Sequence, residues 1–217
     1  MFERVGAGIS VVSIVFTVLA FPGSGVVNAS GFQASGFTAP ADPALAETEH
    51  VCSSCHGMAG DSGTPEFPNL AGQRKDYLVT ELTEFRDRRR AGPGARAYMW
   101  GMAGPLSDQR IEALAAWYSA QIPVAGQPGD PEQAAAGKRI FEDGIVARDV
   151  PACGTCHGQK AEGAGAVPRL AGQHRDYLEA QLAGFASRAN ENNVMYGVAK
   201  NLSPEQIGNV STYLASQ

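Results

Sequence analysis

The chain has 217 residues, enough for one large domain or two small ones, and 44% of them are apolar. Formal net charge is −5, spread evenly along the chain. That balance excludes a basic surface able to neutralise many phosphates, so no nucleic-acid partner is expected. The N-terminus carries Arg4, then an uncharged apolar run from Val5 to Phe21, then Pro22, Gly23, Ser24 and Gly25. With the small-residue site Val27-Asn28-Ala29, residues 1–29 read as a signal peptide cleaved after Ala29. The apolar run is about 17 residues, the lower end of what spans a bilayer, so an uncleaved anchor through residues 5–21 is the alternative. Residues 30–40 read as a flexible leader.

Beyond the leader the chain is written twice. Val51-Cys52-Ser53-Ser54-Cys55-His56-Gly57 recurs as Ala152-Cys153-Gly154-Thr155-Cys156-His157-Gly158. Phe67-Pro68-Asn69-Leu70-Ala71-Gly72-Gln73 recurs as Val167-Pro168-Arg169-Leu170-Ala171-Gly172-Gln173. Asp76-Tyr77-Leu78, Leu82 and Phe85 recur as Asp176-Tyr177-Leu178, Leu182 and Phe185. Tyr98-Met99-Trp100-Gly101 recurs as Val194-Met195-Tyr196-Gly197, and Leu106-Ser107 as Leu202-Ser203. The order is kept while the offset drifts by small deletions, which indicates duplication of a whole domain. The copies span residues 41–122 and 132–217. The Pro- and Gly-rich stretch 123–131 joins them.

The helical signal recurs in each copy. Leu78, Leu82 and Phe85 lie at i, i+4 and i+7, one apolar helix face. Ile111, Leu114, Ala115 and Tyr118 make a second such face, answered by Ile207, Val210 and Leu214. Ser203-Pro204-Glu205-Gln206 is a helix start, with Ser as N-cap and Gln three residues on. Ser107-Asp108 is a plainer one. No alternating strand stands out, and the segments 57–72 and 158–172 read as long loops.

All four cysteines fall in two Cys-x-x-Cys-His motifs. Two thiols three residues apart reach the two vinyl groups of one haem, and the next residue, His, then lies under the porphyrin to ligate iron. Cys52 and Cys55, with Cys153 and Cys156, are the candidate attachment residues, and His56 and His157 the candidate iron ligands. A disulfide within each motif, a thioredoxin-like site and a zinc site made from both pairs are the competing readings. Of the other histidines, His50 has no counterpart in copy two and His174 is matched by Arg74. The repeated sulfur donors are Met99 and Met195. Their repeat register makes them the candidate sixth ligands, against gap-filling core packing. Met102 is matched by Val198, and Met58 follows the histidine too closely to ligate. His/Met ligation fills both axial positions and favours electron transfer over oxygen or peroxide chemistry.

On these motifs residues 44–217 resemble the cytochrome c4 family of dihaem class I cytochromes c. The resemblance rests on Cys-x-x-Cys-His-Gly, Pro-x-Leu-Ala-Gly-Gln, the Tyr-Leu…Leu…Phe helix, and Met followed by Leu-Ser and a helix. It implies an all-α chain of two tandem class I cytochrome c domains and two covalently bound haem c groups close enough to exchange electrons. It also implies that the Pro68 and Pro168 carbonyls accept a hydrogen bond from the proximal His Nδ1–H; a plain loop-stiffening role is the alternative. Copy one lacks the Gly-Lys-Arg-Ile-Phe lead-in of residues 137–141, so its first helix is expected to be shorter or differently packed, from about Ala44. Copy one also carries Arg86, Arg88, Arg89, Arg90 and Arg96, where copy two keeps only Arg188. These read either as a solvated helix end or as a docking patch for an acidic partner.

The function expected is an electron carrier, not an enzyme, periplasmic and either soluble or tethered to the outer face of the cytoplasmic membrane. Its donor would be a quinol-oxidising complex or dehydrogenase and its acceptor a terminal oxidase. A fixed subunit of a membrane dehydrogenase or oxidase complex, and a dihaem peroxidase-type enzyme, are the other readings.

Overall fold

Side-chain caps decide where the main helices begin. In the computed structural model, which describes residues 40–188 and 193–217, Asp42 accepts from the Ala44 amide and Pro43 opens α1 (Pro43–His56). Ser107 accepts from Arg110 N–H at the head of α4 (Asp108–Ser119). Asp130 does the same for Gln133 before α5 (Pro131–Asp143). Ser203 and Gln206 bond reciprocally as a capping box that starts α9 (Pro204–Ala215). The remaining helices are α2 (Lys75–Arg86), α3 (Trp100–Ala103), α6 (Gly154–His157), α7 (Arg175–Ala186) and α8 (Asn193–Ala199). Among the described residues the only β-pairing is two isolated bridges, Ile145 with Val150 and Ala164 with Val167, so the fold is all-α as expected. The signal or anchor segment 1–29 and leader residues 30–39 lie outside the described residues. No described helix is long and apolar enough to cross a membrane.

The faces read from the sequence are the buried ones. Leu78 and Phe85 of α2 are buried, as are Ile111, Leu114, Ala115 and Tyr118 of α4 and Ile207, Val210 and Leu214 of α9. In each copy the last helix packs on the helix that follows the Pro-x-Leu-Ala-Gly-Gln loop: α4 on α2, and α9 on α7.

The copies differ where they begin. In copy one α1 runs directly into Cys52-Ser53-Ser54-Cys55-His56. In copy two α5 stops at Gly144, whose φ of 71° turns the chain back toward Val150, and a separate turn, α6, carries His157. The first helix of copy one is therefore not shorter, at 14 residues against 13 for α5, which corrects one arm of the expectation. Its packing does differ. Gly137 lets α5 lie against α9 so closely that a Cβ there would stand 2.0 Å from the Asn209 carbonyl oxygen. α1 contains no glycine and touches α4 more lightly.

The copies meet through equivalent parts. Gln73 donates Nε2–H to the Arg169 carbonyl and accepts from the Arg169 amide, at 2.9 and 2.7 Å. Gln173 does the same to Asn69, at 3.1 and 2.9 Å. Position i of one copy meets j of the other and the reverse, the signature of a twofold-related interface. Three sets of contacts break the symmetry, the first being Asn69 Nδ2–H to the Gly172 carbonyl at 2.9 Å. His174 Nε2–H donates to the Ser62 carbonyl at 2.9 Å. Arg90 crosses from copy one to Tyr177 Oη and Gln181 Oε1, at 3.3 and 3.2 Å, while pairing with Glu81 and stacking on Phe85. Burial pushes the Glu81 carboxyl up, and Arg90 opposes that shift. Removing one partner of a fully buried pair leaves an uncompensated charge, at a cost of about 3–5 kcal/mol, and the 12% and 21% exposure of these side chains makes that figure a ceiling. Arg90→Met is expected to lose stability, by less than that ceiling, in denaturant unfolding of the mature protein. The double variant Arg90→Met, Glu81→Leu is expected to regain most of it.

Candidate haem-attachment sites

In α1, Cys52, Cys55 and His56 stand at i, i+3 and i+4, on one side of the helix. The helix must end at once for the chain to leave that side free. Gly57 ends it with φ 74°, and a Cβ there would lie 1.8 Å from the Asp61 carbonyl oxygen, so only glycine fits. In copy two the single turn α6 does the same work: the His157 amide bonds the Cys153 carbonyl at 3.0 Å and Gly158 takes φ 80°. None of the four thiols is in a disulfide. Among the described residues no three His, Cys, Asp or Glu side chains converge, so the two pairs do not build a zinc site.

The loop after each motif is folded by its own backbone. Leu70 and Ala71 amides both donate to the Gly60 carbonyl, at 2.8 and 3.1 Å, and Leu170 and Ala171 donate to Ala161 at 2.8 and 3.2 Å. Gly72 N–H reaches the Tyr118 carbonyl on α4, and Gly172 N–H reaches Leu214 on α9. The loop is thereby pinned to the last helix of its own copy, which brings the proline under the histidine. His56 Nδ1 lies 2.9 Å from the Pro68 carbonyl oxygen, and His157 Nδ1 3.0 Å from that of Pro168. A carbonyl only accepts, so Nδ1 carries the proton and Nε2 keeps its lone pair. Burial lowers both imidazole pKa values below the ordinary 6.5, against the opposing pull of the proline carbonyl. Each site therefore offers two unpaired thiols and a buried, neutral, oriented imidazole. That donor set fits haem c.

Met99 ends the turn Ala95–Met99 and is partly buried beside Phe85, Ala95 and Ala103. Met195 lies in α8 and is half-buried. Met58 and Met102 are exposed, at 63% and 51%, and His50 is on the surface. His174 is engaged in the contact between the copies.

The cytochrome c family model matches residues 44–119 and again 134–217. A curated relative, cytochrome c4 of Thiocapsa roseopersicina, is 43% identical over 78% of this chain and 88% of its own length. The solved cytochrome c4 structure from Acidithiobacillus ferrooxidans superposes with a TM-score of 0.73 at 39% identity, covering 76% of this chain and 98% of that one. This chain belongs to the cytochrome c4 family. A further relative, named as a thiosulfate dehydrogenase electron acceptor in Thiomonas intermedia, is 38% identical over 83% of this chain and 85% of its own. The chain is thus a dihaem electron-transfer protein of two cytochrome c domains, with one haem c bound covalently through Cys52 and Cys55 and another through Cys153 and Cys156.

The surroundings of the two attachment sites are not equal, and the motifs alone did not say so. Glu49, three residues before Cys52, is 94% buried by its 6% exposure, and one of its carboxylate oxygens has no hydrogen-bond partner. Tyr118, also buried, stands beside Cys52 with its hydroxyl facing the sulfur. At the same repeat positions copy two has Val150 and Leu214, both buried. A polar pair beside one haem attachment is an apolar pair beside the other. The signal was present as two mismatches in the repeat, which mean nothing until the fold puts them in contact. Burial raises the Glu49 carboxyl above its ordinary 4.5, with His50 and the Ala59 amide pulling the other way. The native state therefore holds a proton that the unfolded chain releases, so stability falls as pH rises from 4.5 through the folded pKa. Glu49→Gln is expected to be more stable than the parent at neutral pH in chemical unfolding. That advantage is expected to vanish below pH 4.5.

Proposed function

We propose that the protein carries single electrons between redox proteins outside the cytoplasmic membrane, with His56 and Met99 as axial ligands of one iron and His157 and Met195 of the other. Domain limits at residues 41–122 and 132–217, joined by 123–131, go with that reading. The observation that carries it is the repeated pair of buried imidazoles, each locked by a proline carbonyl with Nε2 free. When bound, each haem supplies an iron that gains and loses one electron. The chain orients the imidazole, holds its Nδ1 proton on the proline carbonyl, and keeps the second axial position for a thioether. With both positions filled no substrate has a place to bind, which favours a carrier over a peroxidase.

Residues 1–29 support export, as a cleaved signal or as a tether. The dehydrogenase-linked relative supports a dehydrogenase as the electron donor, beside a quinol-oxidising complex; a terminal oxidase suits the acceptor role. The arginine patch is smaller than the sequence suggests. Arg86 pairs with Asp87 and Asp108, Arg89 with Glu84 and Asp87, and Arg90, turned inward, with Glu81. Arg88 and Arg96 lie 6.0 and 5.2 Å from the centre of the Trp100 ring, next to Met99, and are the cations best placed to meet an acidic partner.

Met99→Ala and Met195→Ala test the ligand assignment. Each is expected to abolish the sulfur-to-iron charge-transfer band of one haem, lower that haem's potential and open one iron per chain to carbon monoxide. The parent is expected to bind none. An unchanged spectrum in Met195→Ala would remove that residue from the ligand set.

A further inference from the structure

The peptide groups that hold the two histidines are themselves held from the opposite domain. The Pro68–Asn69 peptide accepts at its carbonyl from His56 Nδ1–H, at 2.9 Å, and donates its N–H to Gln173 Oε1, at 2.9 Å. The Pro168–Arg169 peptide accepts from His157 Nδ1–H, at 3.0 Å, and donates its N–H to Gln73 Oε1, at 2.7 Å. Each glutamine returns its own N–H to the next carbonyl along, that of Asn69 at 3.1 Å or Arg169 at 2.9 Å. Gln73, Gln173 and Asn69 are all buried, so water does not screen these bonds. The clasp is fixed from its own side too, since each Oε1 also accepts the following amide, Arg74 or His174.

Hydrogen bonds in a chain polarise one another. A peptide that donates at N–H is a better acceptor at C=O. A better acceptor at Nδ1–H makes the imidazole a more basic ligand. A more basic ligand favours the ferric ion and lowers the affinity of the iron for an electron. We propose that the glutamines act in trans as positioning residues: Gln173, in the second domain, tunes the haem on Cys52 and Cys55, and Gln73, in the first, tunes the haem on Cys153 and Cys156. The inference rests on His56 and His157 being the proximal ligands. A glutamine pair that merely glues the domains would disturb both haems alike or neither.

The test uses the mature dihaem protein and a redox titration that resolves each haem by its hyperfine-shifted methyl resonances, assigned with Met99→Ala and Met195→Ala. Gln173→Met keeps the volume of the side chain and removes the bonds. It is expected to make the haem on Cys52 and Cys55 easier to reduce by less than tenfold, under about 59 mV for a one-electron couple, and to leave the other in place. Gln73→Met is expected to do the converse. Gln173→Glu keeps an acceptor for the Asn69 amide and adds negative charge, so it is expected to shift the same haem the opposite way. This reversal of sign, which loosening of the interface does not produce, decides the matter if Gln173→Met fails to mature with two haems. A shift confined to the haem of the mutated domain, an equal shift of both, or no shift in either variant would overturn the proposal. Loss of low-spin haem in the parent would instead overturn the ligand reading, a separate failure visible before any variant is made.

Discussion

The hydrogen bond from each motif histidine, His56 or His157, to a proline carbonyl organises each half of this molecule. It exists only because the following loop is tied down three ways. Leu70 and Ala71 share the Gly60 carbonyl, Gly72 is bound to α4, and Gln73 reaches into the other domain. The same three ties recur at Ala161, α9 and Gln173. A free histidine next to two thiols would sample many rotamers; here the proline carbonyl selects the Nδ1–H tautomer and one ring orientation. Burial keeps that imidazole neutral, which is the state that binds iron.

Around this shared frame the halves have diverged. The second is built on a long α5–α9 contact made possible by Gly137, and its core gathers Phe141, Val150 and Leu214 beside the attachment site. The first has a simpler entry through α1 and keeps Glu49 and Tyr118 where the second has hydrocarbon. Arg90 adds a largely covered cation on the first-domain side of the interface. The same repeated donor residues are therefore set in two different dielectric and charge environments, and such differences separate the potentials of haems whose ligands are alike.

Much of this was legible in the residues themselves. The repeat, the two Cys-x-x-Cys-His motifs, the helix faces and the Ser203 capping box are local patterns, and the structure has them where the periodicity put them. What was not legible depends on loops about a hundred residues apart coming together. Gln73 and Gln173 end the repeated Ala-Gly-Gln, and the repeat alone assigns them no role; only the interface shows that each bonds the other domain's backbone. The arginine run reads in sequence as a solvated helix end or a docking patch, but Arg88 takes φ 58° and the amides of Arg89 and Arg90 both fold back onto the Glu84 carbonyl. That reversal turns Arg90 inward while its neighbours stay out. The length of α1 was misjudged because the missing Gly-Lys-Arg-Ile-Phe segment belongs to a separate helix in copy two, whereas copy one runs a single helix through the motif.

The account stands on two covalent haems, one per repeated motif. The direct measurement is the intact mass of the denatured protein after expression with c-type cytochrome maturation, followed by a peptide map. The account predicts a mass raised by two haems, one on the peptide containing Cys52 and Cys55 and one on that containing Cys153 and Cys156. A matured, folded chain carrying one haem or none, or with either cysteine pair closed as a disulfide, would contradict it.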